Sequence, residues 1–406
     1  MDHPIIVPHG PKVRVVASAS TWIEGEALHQ MEAASKLPGM LLCAGMPDLH
    51  PGKGGPVGAA CLSEGFVHPT LVGADVGCGM AFLGCPDLRV RKACPEKLAA
   101  RLDGIDAPWD GDISGCLSGL GIERTPYDEV LGTVGGGNHF IEFQAVEEII
   151  DAEAFLALGL DADRLHLLVH SGSRRLGEAV WQAYAGQHGA APLADGTPEA
   201  AAYLAQHDHA LRWAAANRAL CARRACEAAG TDMVPVLDVP HNFVAEAVIG
   251  ERRGWLHRKG AAPSDMGPVA IPGSRGDLTW LVRPASGCGD ALKSLAHGAG
   301  RKIARHEARD KLRGLRRHED PRRNPWGGLV VCGDNSLLEE SPHAYKPIAS
   351  VVGDLFAAGL AEPIASFRPV VTFKSSEGKK ETVRRGRAEW QRERRDARSA
   401  KRGRFE

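Results

Sequence analysis

The sequence predicts an α+β protein: a single irregular body of mixed sheets with packed helices over residues 1–375, and a basic C-terminal extension over residues 376–406. Three observations carry this reading. Strand-like and helical stretches are interspersed without the regular alternation of a doubly wound sheet. No glycine fingerprint follows a first strand, as a dinucleotide-binding fold requires. The composition, 44% hydrophobic and 24% charged over 406 residues, is that of a globular chain and excludes a disordered or collagenous one.

Taken in order, residues 1–90 hold short apolar runs at 13–17, 71–73 and 81–83 between glycine-dense loops, and no helical period persists there. Strands and loops are expected. Helical patterning appears at 95–103, at 145–157 and most clearly at 197–229, where Pro198 suits a first turn and Gly230 a stop. The apolar runs 165–169, 234–239, 269–271 and 329–332 are expected to be buried strands, and the first three run straight into polar segments containing Gly or His. A basic helical stretch is expected after Arg301, and another helix over 342–360.

The net charge of −1 conceals an asymmetry. Residues 301–325 hold ten Lys or Arg against four Asp or Glu, and residues 374–406 hold thirteen against six. Such segments are either solvated faces or surfaces that neutralise nucleic-acid phosphates, and charge alone does not choose. Ten cysteines are scattered with no Cys-x-x-Cys pair, which suggests neither a zinc ribbon nor a small disulfide scaffold and predicts that most are reduced, buried thiols. No run of about 18 apolar residues is present, and the start lacks signal-peptide character, so no membrane association and a cytoplasmic location are expected.

Several polar segments could carry chemistry. Met46-Pro47-Asp48-Leu49-His50 leads into Pro51-Gly52-Lys53-Gly54-Gly55, which lacks P-loop spacing; Asp48 and His50 could be ligands or could make loop hydrogen bonds. Asp75 and Cys78 lie three apart among glycines, as a turn presenting a carboxylate and a thiolate would require. His139 follows Gly135-Gly136-Gly137-Asn138, His170 closes an apolar run before Ser171-Gly172-Ser173-Arg174, and His241 stands between Pro240 and Asn242. Any one of these histidines alone reads as structural. Together, one Asp, one Cys and three His suffice for two divalent ions sharing a ligand, an arrangement suited to phosphoryl chemistry. His297, in Ala296-His297-Gly298-Ala299-Gly300-Arg301, is a turn histidine or a covalent nucleophile.

Together these segments resemble the RtcB family of RNA ligases. The resemblance is carried, in order, by Met46 to His50, Asp75 to Gly79, Gly132 to Phe140, His170 to Arg174, His241-Asn242, His257 to Gly260, Ile271 to Ser274, His297 to Arg301 and Ala344-Tyr345-Lys346. It implies that residues 1–375 form a catalytic domain. The implied reaction is a GTP- and manganese-dependent ligation of RNA 3′-phosphate or 2′,3′-cyclic phosphate ends to 5′-hydroxyl ends, in RNA repair or tRNA splicing. It further implies that His297 is the guanylylated nucleophile and that Asp75, Cys78, His139, His170 and His241 hold two Mn²⁺, Cys78 bridging, with zinc as a substitute the donor set would also accept. Asn138 and Asn242 resemble phosphate-contacting amides, Glu142 a guanine-edge acceptor, and Ser274 and Tyr345 nucleotide contacts. Lys374 is the equivalent of a Lys that touches guanine near the usual chain end, and Arg174, Lys259 and Arg301 are candidates for RNA phosphates. Archease is the activating partner the family implies.

This chain departs from the family pattern at Arg175 and Arg275, where Gly and Met are common, at Cys288 upstream of His297, and in the extension after Lys374. An alternative reading is a binuclear metal-dependent phosphoesterase acting on RNA ends, with the same five ligands and His297 as a general acid or phosphate ligand. A third is an RNA-binding protein without catalysis, against which stands the retention of every candidate ligand and of His297.

Overall fold

Two mixed sheets organise the chain in the computed structural model, which describes residues 6–286, 289–312 and 320–375. The first has six strands in the order Ile6–Pro8, Val13–Val16, Met40–His50, Val57–Ser63, Arg252–Lys259, Asn242–Ile249. The second has eight. Its path runs Val234–Pro240, Gly79–Arg89, Arg164–Ser171, Phe140–Ile149, Ala361–Phe373, Thr279–Pro284, Val269–Pro272, with Leu329–Val331 added in parallel to Ala361–Phe373. Pairing is antiparallel except there and between Val13–Val16 and Met40–His50. The α+β class is therefore observed.

The sheets meet through a common core that joins Ala44, Met46, Ala60 and Leu62 to Val239, Ile271 and Val282, closed by Ile348, Val351 and Leu355 of one helix. Each Val, Leu, Ile or Met side chain among these that is removed from water contributes about 1.5–3 kcal/mol, and the alanines less. The long helix Pro198–Ala229 lies on the second sheet: Cys221, Ala222, Ala225 and Ala229 pack onto Ala81, Leu83, Leu167 and Val169. Its alanine-rich face lets the helix approach closely. Thr197 caps it by accepting from Ala200 N, and Gly230 ends it at φ +76° in the left-handed conformation that Gly adopts without strain.

The predicted strands at 13–17, 81–83, 165–169, 234–239, 269–271 and 329–332 are present, with bounds shifted by a few residues. Four expectations require correction. Residues 71–73 are not a strand, because Pro69 opens a 3₁₀ turn over Pro69–Leu71. A helix, Gly25–Ser35, lies within the segment expected to hold none; its buried stripe is only Ala27, Met31 and Ala34, too small and polar-flanked a pattern to stand out. The helix expected over 145–157 is instead a strand to Ile149 followed by the helix Ala152–Ala157. There the side chain of Asp151 accepts from Ala154 N, while Ile141, Phe143 and Ala145 are buried in the sheet. Over 342–360 two prolines divide the segment into a 3₁₀ turn, Pro342–Ala344, and the helix Ile348–Ala357. Helices at Ile113–Gly119 and Arg175–His188 are additional, and the basic stretch after Arg301 becomes helical at Arg305–Leu312.

Among the described residues no helix is long and apolar enough to cross a membrane, and nine cysteines are free thiols, six of them buried. The basic extension 376–406 and Cys288 lie outside the described residues.

Candidate metal and nucleotide centre

The pairing of the second sheet lines up the ends of four adjacent strands. Cys78 immediately precedes Gly79–Arg89, His139 precedes Phe140–Ile149, His170 is the penultimate residue of Arg164–Ser171, and His241 follows Val234–Pro240. Register fixes their proximity, since Met80 faces His170, Phe140 faces His170 and Pro240 faces Gly79 across the ladders. A turn held by a hydrogen bond from Cys78 N to Asp75 O places the Asp75 carboxylate beside them.

Two groups of donors result, and Cys78 belongs to both: Cys78, His170 and His241 form one, and Asp75, Cys78 and His139 the other. Cys78 Sγ lies 3.1 Å from His170 Nε2 and 3.3 Å from His139 Nε2; His170 Nε2 lies 3.3 Å from His241 Nε2, and His139 Nε2 3.1 Å from Asp75 Oδ2. An ion with bonds of about 2.0–2.3 Å to tetrahedrally disposed N and S donors requires donor separations of about 3.3–3.7 Å. The observed separations of 3.1–3.3 Å lie at or slightly below the lower end of that range, so each group could hold a divalent ion after a small outward movement, with Cys78 common to both. Burial, reinforced by the neighbouring imidazoles, holds His170 and His241 well below the ordinary histidine value, so both rings are neutral as ligands must be. Burial also opposes ionisation of Asp75, yet His139 and Arg174 outweigh it and hold the carboxyl below its usual range. Burial and Asp75 push the Cys78 thiol up, a penalty that a divalent cation reverses.

These donors, except His139, open on a cavity of about 370 Å³. His139 is buried and does not line the cavity. His297 lines the same cavity at the end of the short strand Ser294–Ala296, rather than at a helix N-terminus, and its ring centroid is 4.7 Å from that of His241. Its Nδ1 is 2.7 Å from Asp48 Oδ2, which also accepts the His297 backbone N–H. Nε2 is thereby the ring nitrogen left for the cavity. Asp48 is fully buried on the strand Met40–His50, so neither it nor His50 joins a ligand group; His50 Nδ1 bonds back to Asp48 O instead. Lys346 donates to Pro47 O and Leu49 O on either side of Asp48 and so ties down the backbone that carries it. The positions of Asp48 and Lys346 in quoted motifs were the available signal, but their roles depend on pairing over 249 and roughly 300 residues of chain.

Away from the donors the cavity is lined by Asn138, Glu142, Ser274, Tyr345 and Lys374. Glu142 accepts from Gln144 Nε2 and Thr372 Oγ1, and burial pushes its carboxyl up to about 7 despite those bonds and nearby Lys374. Lys374 sits over the Phe140 ring and 3.4 Å from Glu340, a buried acid that sequence reading passed over. Burial alone would raise Glu340, but Lys374, Arg305 and Arg301 pull it down to about 2. Tyr345 donates its hydroxyl to Glu340 and accepts from Arg301.

The remaining candidates are more fully engaged with protein than free contacts would be. Asn242 accepts from Gly260 N and donates to Asp75 O, which makes it a brace of the ligand turn. Lys259 lines the cavity with its Nζ donating to Lys53 O and Gly55 O, and burial lowers it to about 8. Arg301 donates to Ile303 O, Glu339 O and Glu340. Arg174, at φ +59°, is outside the cavity lining and lies against Gly135, where any Cβ would collide with its guanidinium. Arg275 lines the cavity and donates to Leu337 O, while Arg175 pairs with Glu129 at the surface.

Comparison with known proteins matches residues 30–104 and 122–375 to the family model for tRNA-splicing ligase RtcB. The chain is 46% identical over 376 residues to the RNA-splicing ligase RtcB2 of Escherichia coli, covering 92% of this chain and 99% of that one. It is 27% identical to the RNA-splicing ligase RtcB of Mycobacterium tuberculosis, covering 84% and 99%, and 27% identical to the tRNA-splicing ligase RtcB of Archaeoglobus fulgidus, covering 86% and 91%.

Proposed function

The chain belongs to the RtcB family of RNA ligases, and from that premise we propose that it joins RNA 3′-phosphate or 2′,3′-cyclic phosphate ends to 5′-hydroxyl ends at the expense of GTP, with two Mn²⁺ in the Cys78-centred donor groups. The observation that carries this reading is the placement of His297: it lies in one cavity with the donors, with Nδ1 committed to Asp48 and Nε2 available.

In this proposal Nε2 of His297 attacks the α-phosphorus of GTP. A nitrogen–phosphorus bond forms as the bond to the pyrophosphate oxygen breaks, and the ring's Nδ1 proton stays on the hydrogen bond to Asp48, which stabilises the positive imidazole that develops. The RNA 3′-phosphate then takes the guanylyl group from Nε2, and the 5′-hydroxyl displaces GMP. A cyclic end must first be opened by water to the 3′-phosphate. Asp75, Cys78, His139, His170 and His241 would hold the metal ions, which supply charge neutralisation at the transferred phosphoryl groups. Glu142 accepts from the guanine edge while Gln144 and Thr372 orient it. Asn138, Ser274, Tyr345 and Lys374 bound the nucleotide, Asn242 braces the turn that carries Asp75, and Arg174, Lys259 and Arg301 supply positive potential for RNA phosphates. RNA with such ends is the substrate, and archease is the proposed activator.

The test is incubation with α-³²P-GTP and MnCl₂, followed by a denaturing quench. The expected result is a protein-bound label that is acid-labile, base-stable and absent from His297→Ala. A metal-loaded chain that takes no label, with archease added, and instead cleaves phosphodiesters would replace the ligase by the binuclear phosphoesterase.

A further inference from the structure

We propose that Asn217 and Arg218, consecutive residues of the long helix, are positioning residues that hold the ligand-bearing segments in register and thereby set the affinity and geometry of the metal centre; this rests on the metal reading above. Neither residue offers an atom to the donor groups. Both side chains are nonetheless buried, at 0% and 1% exposure. A buried arginine in a helix face otherwise packed with alanines must be matched by specific partners, because an uncompensated one costs several kcal/mol.

The partners are the ligand segments themselves. Arg218 Nη1 donates to Gly77 O at 2.6 Å, the carbonyl of the residue before Cys78, and to Ser171 O at 3.1 Å, one residue past His170. Its Nε and Nη2 form a fork on Asp238, at 2.5 and 3.1 Å, three residues before His241 on the strand that leads to it. Asn217 covers the remaining segment. Its Oδ1 accepts from Gly132 N at 2.7 Å, and its Nδ2 lies 3.2 Å from Thr133 O at the base of the loop that ends in His139. The same Nδ2 is 3.0 Å from Ser171 Oγ and 3.2 Å from Gly172 O, tying that loop to the strand of His170. Two adjacent side chains thus reach all four segments that supply sulfur and imidazole.

The surrounding glycines make room for this arrangement. A Cβ at Gly79 would come 3.1 Å from Arg218 Cζ, and one at Gly77 would come 2.8 Å from Ala214 Cβ on the same helix. A planar guanidinium suits the task in a way that a lysine does not, since it addresses a carboxylate and two carbonyls in one plane. Groups bonded directly to a ligand typically change metal affinity 10- to 100-fold when altered. Asn217 and Arg218 act on the backbone next to Cys78 and His170 and on the segments leading to His139 and His241, and the same range is the expectation for a residue that holds several of these segments at once.

The experiment is a Co²⁺ titration of the full chain, followed by the thiolate-to-cobalt absorption band and by competition against a chelator of known affinity. Arg218→Met and Asp238→Asn are compared with the unaltered chain, each after circular dichroism confirms a folded state without metal. The expected result is a Co²⁺ affinity lowered about 10- to 100-fold for Arg218→Met and about tenfold for Asp238→Asn, with a shifted or weakened band. A merely structural role would lower thermal stability but leave affinity and band unchanged. Folded variants that match the unaltered chain within twofold overturn the inference. If Arg218→Met does not fold, Asp238→Asn decides by the same criterion, because the Asp238 side chain is one-third exposed and its isosteric change removes charge without opening a cavity. Absence of any thiolate band in the unaltered chain would overturn the metal reading, and this inference with it.

Discussion

Oδ2 of Asp48 accepts two hydrogen bonds from His297, one from the ring Nδ1 at 2.7 Å and one from the backbone N–H at 3.2 Å. The pair of contacts fixes the tautomer and the ring plane together. Asp48 itself has no exposed surface, and its Oδ1 has no hydrogen-bond partner among the described residues. Lys346 donates to the carbonyls on either side of Asp48 and brings a positive charge close to it.

Asp48→Asn is expected to slow formation of the protein-bound GMP label by about 10²–10⁴-fold, the cost of a misplaced tautomer where a carboxylate normally orients a catalytic imidazole. Single-turnover labelling at saturating GTP and Mn²⁺ measures it, with Co²⁺ binding as the control for an intact metal centre. A rate within threefold of the unaltered chain would remove Asp48 from the mechanism.

His297→Ala and Cys78→Ala separate nucleophile from metal centre. The first is expected to bind two equivalents of metal and take no label. The second is expected to lose both, because Cys78 is common to the two donor groups and no other thiol approaches them among the described residues. Metal content after equilibrium dialysis, measured beside labelling, distinguishes the outcomes, and full loading of Cys78→Ala would refute the shared thiolate.

Backbone geometry gives a stability expectation. Gly300 has φ +69°, and a Cβ there would collide with the backbone oxygen of Asp48; Gly58, at φ +82°, would place one 2.8 Å from Asp48 Oδ1. Ala at either position costs about 1–2 kcal/mol for the left-handed backbone alone, before any displacement of Asp48. Chemical denaturation is expected to show at least that loss for Gly300→Ala, together with slowed labelling. An unchanged midpoint would mean that the turn relaxes freely.

The Glu142 carboxyl, raised to about 7 mainly by burial, supplies a pH signature. Its native value lies above the ordinary glutamate value, so the charged form is disfavoured in the folded state, and the acceptor form that guanine requires is populated only as pH rises through about 7. GTP affinity is therefore expected to weaken about tenfold between pH 8 and pH 6, the ratio of ionised fractions one unit either side of that value. Glu142→Gln should bind GTP more weakly at pH 8 and should lack this component, which separates it from titration of the metal ligands. Parallel pH profiles for the two proteins would exclude Glu142 as the guanine acceptor.

The residues that the fold gathers into donor groups stood out in the sequence because each sits in a short polar or Gly-rich segment next to a strand, and strand ends are where such residues converge. The residues that hold them were not. Asn217 and Arg218 lie in the middle of a helix among alanines, where a polar pair reads as a solvated face; only the packing of that helix onto the sheet turns it inward. Glu340 is likewise one acid in a polar stretch until Arg301, Lys374 and Tyr345 close around it. A helix is expected over 145–157 because the last residues of the strand Phe140–Ile149, with Glu147, Glu148 and Ile149 exposed, run almost directly into the helix Ala152–Ala157, and the joined stretch carries no alternation that would mark a strand end. Long-range pairing, rather than local pattern, decided each of these cases.

The basic extension yields a test that depends on charge alone. Residues 376–406 carry twelve Lys or Arg against six Asp or Glu, and the chain enters them from Lys374 and Ser375, of which the first lines the cavity. Removal of residues 376–406 is expected to weaken RNA binding at low salt and to flatten the plot of log affinity against log salt. Each phosphate contact with a single strand contributes about 0.7 to the slope, so loss of four contacts would lower it by about 3. Binding of a 3′-phosphate oligonucleotide to the full and shortened chains, measured across a salt series, gives both slopes. Equal slopes would mean that the cavity and its rim account for all of the electrostatic grip on RNA.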